Sequence, residues 1–161
     1  MEEIVMKKIR TSNLTKYELE IIDNYARVYG SLANTAGLEV LLALYTGMRF
    51  KEISGLTWED IDLVNNSVRI VSKVSTKKIP VDSMVMFKLE DLKKEQRINY
   101  AKHGYVPETN YVFINKRMHR PTVVSLEKFI SDSLNTNQRV LFRTLRDSVK
   151  EIDGHENIKR V

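Results

Sequence analysis

Apolar positions recur with a helical period along "KYELEIIDNYARVYG", where Leu19, Ile22, Tyr25, Ala26 and Tyr29 fall on one face and Thr15 stands where an N-cap is needed. Gly30 is placed to stop that helix. The next stretch, "TAGLEVLLALYTG", keeps too few polar positions for a solvent face and so predicts a helix at the centre of the core. "RFKEISGL" adds a short third helix, and "TWEDIDLVNN" runs into an Asn-Asn turn. There the pattern changes: "SVRIV" and "KKIPV" are short β-rich segments around "SKVST", the arrangement of an antiparallel hairpin. A helix through "SMVMFKLEDLKKEQRINY", a loop holding Gly104 and Pro107, an extended piece "YVFI" and helices near residues 122–134 and 144–151 complete the chain. The expected fold class is mainly α with one small antiparallel sheet (α+β).

No internal repeat, low-complexity tract or Gly/Ser/Pro linker divides the 161 residues, and 42% hydrophobic content suffices for one core. One domain over residues 1–161 is expected, with 1–13 as a lead-in and 14–161 as the core. Lys and Arg number 26 against 21 Asp and Glu, a net charge of +5 with a pI near 9.3, which directs attention to anionic partners. The absence of cysteine excludes disulfides and thiolate chemistry. The three histidines, His103, His119 and His155, are scattered, which argues against a metal site. No apolar run reaches spanning length, and "MEEIVMKKIRTSNLT" lacks the apolar stretch of a signal peptide, so a soluble cytoplasmic protein is expected.

"TGMRFKEISGLTWEDIDLVNNSVRI" resembles the first conserved box of the tyrosine recombinases, the phage integrase superfamily: Thr-Gly-hydrophobic-Arg-x-x-Glu-hydrophobic, then Leu-x-Trp-x-Asp-hydrophobic-Asp. The order downstream is similar too. A lysine-bearing hairpin ends in "KIPV", "VFINKRMHRP" follows a helix, and "LFRTLRDSV" resembles the second box, His-x-Leu-Arg-His, here Arg143-Thr144-Leu145-Arg146-Asp147. The likeness covers the chain from about "LTKYELE" onward.

That resemblance implies a set of roles. Arg49 and Arg146 become the two arginines that hold the scissile DNA phosphate, for which a planar fork of donors is better suited than an ammonium. Each has a plainer reading: Arg49 paired with Glu52, and Arg146 paired with Asp147 or Glu151. A hairpin lysine is the family's general acid toward the leaving 5′ oxygen. Lys73 is the best positional match, but the segment to Ile-Pro is one residue short, which keeps Lys77 as a rival; Lys77 and Lys78 are otherwise read as contacts to the DNA backbone. Arg143 stands where the family has histidine and can donate to a phosphate without exchanging protons near neutral pH. Trp58 is read as core, and Asp60 and Asp62 as turn residues.

The family's late Leu-Gly-His/Trp box and nucleophilic tyrosine have no match, since no tyrosine follows Tyr111. Within "EIDGHENIKRV", the stretch "DGHENIKRV" is read as the loop between two helices, making His155 a loop histidine; the alternative takes Gly154-His155 as the late box. The expectation is the catalytic-domain fragment of a site-specific recombinase, cut at both ends and inactive as it stands. Double-stranded DNA would be its partner, with further copies of itself on DNA, and no cofactor or metal. A naturally truncated DNA-binding protein that occupies recombination sites without cutting is the competing expectation.

Overall fold

The computed structural model describes residues 8–156. The elements begin with α1 (Lys16–Tyr29), α2 (Thr35–Thr46), α3 (Phe50–Ser54), strands β1 (Ile61–Asp62), β2 (Ser67–Val71) and β3 (Thr76–Pro80), and α4 (Ser83–His103), all but β1 in the order the pattern gave. Then come α5 (Val123–Ser133) and α6 (Phe142–Glu156). A single turn of 3-10 helix, Trp58–Asp60, leads into β1. The fold is helical with a three-stranded antiparallel sheet in the order β1-β2-β3, as its class was expected to be.

Thr15 caps α1 as its position suggested, its hydroxyl accepting from the Glu18 amide while the Glu18 carboxylate takes the Thr15 amide. Leu19, Ile22 and Ala26 are buried, whereas Tyr29 is 55% exposed, reaching Tyr25 only at the edge of the core. α2 is buried from Thr35 through Leu44 and packs against α1, α3, α4, α5 and α6. The approach is tight at Gly37, where a Cβ would stand 2.7 Å from the Phe129 ring of α5 and 3.0 Å from the Gly30 Cα. No larger residue fits without parting α2 from α5.

The remaining differences from expectation are local. β1 was not foreseen; it pairs Ile61 with Val68 and Asp62 with Ser67. "YVFI" makes one isolated bridge, Thr57 to Tyr111, and then buries Val112, Phe113 and Ile114 without laddering. The backbone of α6 continues through Glu156, so Gly154 and His155 lie in a helix and not in a loop. Residues 157–161 of that segment lie outside the described residues.

One buried group was invisible to the pattern. Glu39 sits on α2 with no exposed surface, and among the described residues neither carboxylate oxygen has a hydrogen-bond partner; the same is true of the Thr35 hydroxyl one turn earlier. Desolvation pushes the Glu39 carboxyl up to about 8, against a smaller downward pull from the Arg120 guanidinium. The group is therefore neutral in the folded protein at pH 7 and ionised in the unfolded chain. Because the folded pKa is the higher one, stability is greatest below the ordinary carboxylate range and falls as pH rises toward about 8, by up to about 1.4 kcal/mol per pH unit. Glu39→Gln should remove that dependence, matching the parent near about pH 5 and exceeding it by a few kcal/mol near about pH 8. Urea unfolding of both proteins at the two pH values checks this; parallel pH profiles would show that Glu39 is not buried neutral.

Candidate phosphate-binding cleft

Three parts of the chain meet at an open cleft of about 310 Å³. The α2–α3 junction contributes Gly47, Met48 and Arg49, and α6 contributes Arg146 and Lys150. The hairpin contributes Ile70 and Ser72 from one side and Ser75, Lys77 and Ile79 from the other.

The junction is shaped by local chemistry. α2 ends at Gly47 in the left-handed region, φ 69°, which turns the chain without the steric cost a side chain would add. Met48 is then buried, 2% exposed, and anchors the turn, while Arg49 occupies the extended N-cap position of α3 and projects to the surface. Glu52 does not pair with the Arg49 guanidinium; its carboxylate accepts the Arg49 backbone N–H at 2.7 Å. Among the described residues the Arg49 side chain has no ion pair, so the charge faces the cleft uncompensated.

Arg146 reaches the same place from α6. Its Nε donates to the Gly47 carbonyl at 3.1 Å, tying α6 to the residue that sets the direction of Arg49. Neither acid expected as its plainer partner takes it: Glu151 accepts from Asn13 instead, and no Asp147 pair is present among the described residues. The start of α6 is fixed by buried Glu127 on α5, which accepts the Phe142 amide at 3.0 Å and the Arg139 guanidinium at 2.8 Å. Phe142 also meets the Phe50 ring edge-on at 6.4 Å, joining α6 to α3. Arg143, in the first turn of α6, is exposed and does not line the cleft.

The hairpin separates the three lysines. Ser72 and Ser75 close the turn, the Ser72 amide donating to the Ser75 carbonyl at 2.9 Å, and Lys73 lies exposed in that turn, outside the cleft. Lys77 pairs with Ile70 on the face shared by Ile79, and that face lines the cleft. Lys78 pairs with Arg69, so it points to the opposite face. Its charge is felt there by Asp62, whose carboxyl is held low chiefly by the Asn65 side chain and backbone. Trp58 is core, its indole N–H donating to Gln96 at 2.7 Å; Asp60 accepts from Thr57 and Arg69, and Asp62 closes the turn through Val64 and Asn65. Lys150, four positions after Arg146, was missed by sequence reasoning, although both lie within the helix expected near 144–151 and the helical repeat of four places them on one face.

Among the described residues no group of His, Asp or Glu is arranged to hold a metal ion, and no helix is long and apolar enough to cross a membrane. What the cleft offers is fixed cationic donors beside hydroxyls on a hairpin, a surface suited to an oxyanion. The pattern of the Phage integrase family matches residues 12–161. No curated protein matches the sequence. Among solved structures, the chain is similar to the XerH site-specific recombinase bound to a difH substrate and to the XerA recombinase. For XerH the TM-score is 0.66 at 21% identity, covering 94% of this chain and 45% of that one. For the XerA recombinase it is 0.62 at 17% identity, covering 86% and 49%. The Tn1549 transposon integrase in complex with transposon right end DNA gives 0.61 at 17% identity, covering 91% and 54%. The chain thus spans about half the length of the structures it matches.

Capping of Arg49 by Glu52 has a measurable signature. Glu52→Ala should cost about 1 kcal/mol of stability, whereas Glu52→Gln, which keeps an acceptor for the Arg49 amide, should stay within about 0.5 kcal/mol of the parent. Chemical denaturation of both variants distinguishes a cap from an ion pair, for which the two substitutions would be equally costly.

Proposed function

This chain belongs to the phage integrase family, and we propose that its cleft binds a phosphodiester of double-stranded DNA as part of the catalytic domain of a tyrosine recombinase. The observation that carries the reading is that Arg49 and Arg146, far apart in sequence, line one cleft and are coupled through the Gly47 carbonyl. The DNA complexes of XerH and of the Tn1549 integrase support it by analogy of fold.

In this reading the two guanidinium groups bind the non-bridging oxygens and stabilise the negative charge that grows on them during attack, a donor effect of about 10²- to 10³-fold per group. Rigid placement matters as much as charge, and both arginines stand on helix-bound backbone. Lys77 is the general acid: as a tyrosine oxygen bonds to phosphorus and the bond to the 5′ oxygen breaks, its ammonium proton passes to that oxygen. The product would be a 3′-phosphotyrosyl ester and a free 5′ hydroxyl, with no cofactor in the step. Lys73, in the turn beyond the cleft, and Lys78, on the other face of the hairpin, contribute positive potential along the DNA, as does Arg143. Further copies of the chain would assemble on the same DNA.

All seven tyrosines lie within the described residues, and none lines the cleft. The 161 residues by themselves therefore bind and polarise the phosphate without a nucleophile in line with it. Incubated with a nicked suicide duplex, this polypeptide should give no denaturant-resistant adduct; an adduct mapped to one of its tyrosines would refute that assignment.

Binding should nonetheless depend on the cleft. Arg49→Ala should weaken affinity for duplex DNA about tenfold or more, the cost of one charged hydrogen-bonding group. Fluorescence anisotropy at constant ionic strength measures it, and affinity unchanged by loss of Arg49 would remove the cleft from the DNA interface.

A further inference from the structure

The cleft holds one cation more than a single phosphate requires. Lys150 lines it beside Arg49 and Arg146, yet plays no part in the roles the family resemblance assigns. It stands four residues after Arg146 on α6, hence on the same helix face and displaced by about 6 Å along the axis. Its position relative to the α2–α3 junction is also set: a Cβ built on Gly47 would lie 4.0 Å from the Lys150 Cε, so the lysine stem runs past the turn that carries Arg49.

Its charge is uncompensated. Among the described residues Lys150 has no ion pair. The acid nearest in kind, Glu52, also lines the cleft but has its carboxylate on the Arg49 amide. Glu151 faces away from Lys150 along the helix and accepts from Asn13. An exposed lysine whose stem lies along a glycine turn, with its head at the mouth of a cationic cleft, has bulk water or an anion as its partner.

We propose that Lys150 binds a second backbone phosphate, adjacent to the one held by Arg49 and Arg146, so that the cleft grips a dinucleotide step of one strand. The spacing supports two phosphates in preference to one. A third cation on the same oxyanion would sit against two guanidinium groups in repulsion, whereas a displacement of about one helical turn allows the next phosphate, which advances about 3.4 Å along the duplex axis and is farther off through space, to be met separately. Arg146 and Lys150 then read successive phosphates from one rigid helix, which fixes the direction of the strand across the cleft as well as its position.

The inference rests on the DNA-binding reading above, and the salt dependence of affinity separates the two. Binding to a random-sequence duplex is followed by fluorescence anisotropy over a range of NaCl for the parent, Lys150→Gln, Lys150→Arg, Arg49→Gln and the Lys150→Gln/Arg49→Gln double variant. Each phosphate neutralised contributes about −0.9 to the slope of log affinity against log salt. Lys150→Gln should flatten the slope by about 0.9, Arg49→Gln, which leaves the first phosphate with Arg146, should flatten it by less, and the double variant should be about 0.9 flatter than Arg49→Gln alone, with Lys150→Arg keeping the parent slope. A parent slope near zero would sink the DNA reading and this inference together. A steep parent slope with Lys150→Gln unchanged, or a double variant no flatter than Arg49→Gln alone, would sink the second phosphate while leaving the first. Gln is a good helix former at an exposed position, and a thermal melt matching the parent shows that the variants are folded.

Discussion

A helix with no polar face has to be covered on every side, and that constraint organises this protein. α2 is buried from Thr35 to Leu44, and α1, α3, α4, α5 and α6 are arranged around it and take its apolar surface out of water. The packing is close enough for Gly37 to be pressed between the Phe129 ring and the Gly30 backbone. A helix so enclosed cannot shift its C-terminus, and the chain that leaves it at Gly47 emerges at a fixed point in a fixed direction. Arg49, which the proposed function sets against the phosphate, follows two residues later.

Tertiary bonds carry that rigidity across to the second arginine. Glu127 holds the first amide of α6, Phe142 lies against Phe50 of α3, and Arg146 donates to the Gly47 carbonyl. Ser148 adds a link to the N-terminal side by accepting the Leu14 amide at 2.8 Å. The cleft is consequently built on two sides from backbone that is fixed by the core, and on its third side from a hairpin whose strands β2 and β3 are mostly exposed. In the proposed function the phosphate-binding arginines stand on the stiff sides and the proton donor on the open side, a sensible division: charge stabilisation gains from preorganisation, while proton transfer to a leaving oxygen needs only approach at the right moment.

The same enclosure has a cost at Glu39. A carboxyl on a fully buried helix with no hydrogen-bond partner among the described residues is tolerated only because it stays protonated. The nearby Arg120 could have compensated it, but that guanidinium donates to the Ser54 carbonyl and hydroxyl and stacks on Tyr111 at 3.8 Å. α3 is thereby pinned at its end, and the acid is left to its pKa.

The sequence by itself determined the elements and the chemistry to be sought. Periodicity located α1, α4, α5 and the hairpin, because buried and exposed faces impose a repeat of 3.6 or 2 on apolar residues whatever the rest of the chain does, and α2 stood out by its near-continuous apolar run. The boxes around Arg49 and Arg146 were legible as a resemblance to a known family, carried by contiguous residues, and the core role of Trp58 and the turn roles of Asp60 and Asp62 were legible from residue type. Tertiary structure decided which of several eligible side chains share a site. Lys73, Lys77 and Lys78 are alike in sequence; the Ser72–Ser75 turn sends Lys73 outward, and strand alternation places Lys77 and Lys78 on opposite faces. Arg143 and Arg146 are a helical turn apart, yet only Arg146 reaches Gly47, because Glu127 and Phe142 fix where α6 begins. Glu39, alone among apolar neighbours, gave no periodic signal, since its neutrality depends on what surrounds it in space and not on what adjoins it along the chain.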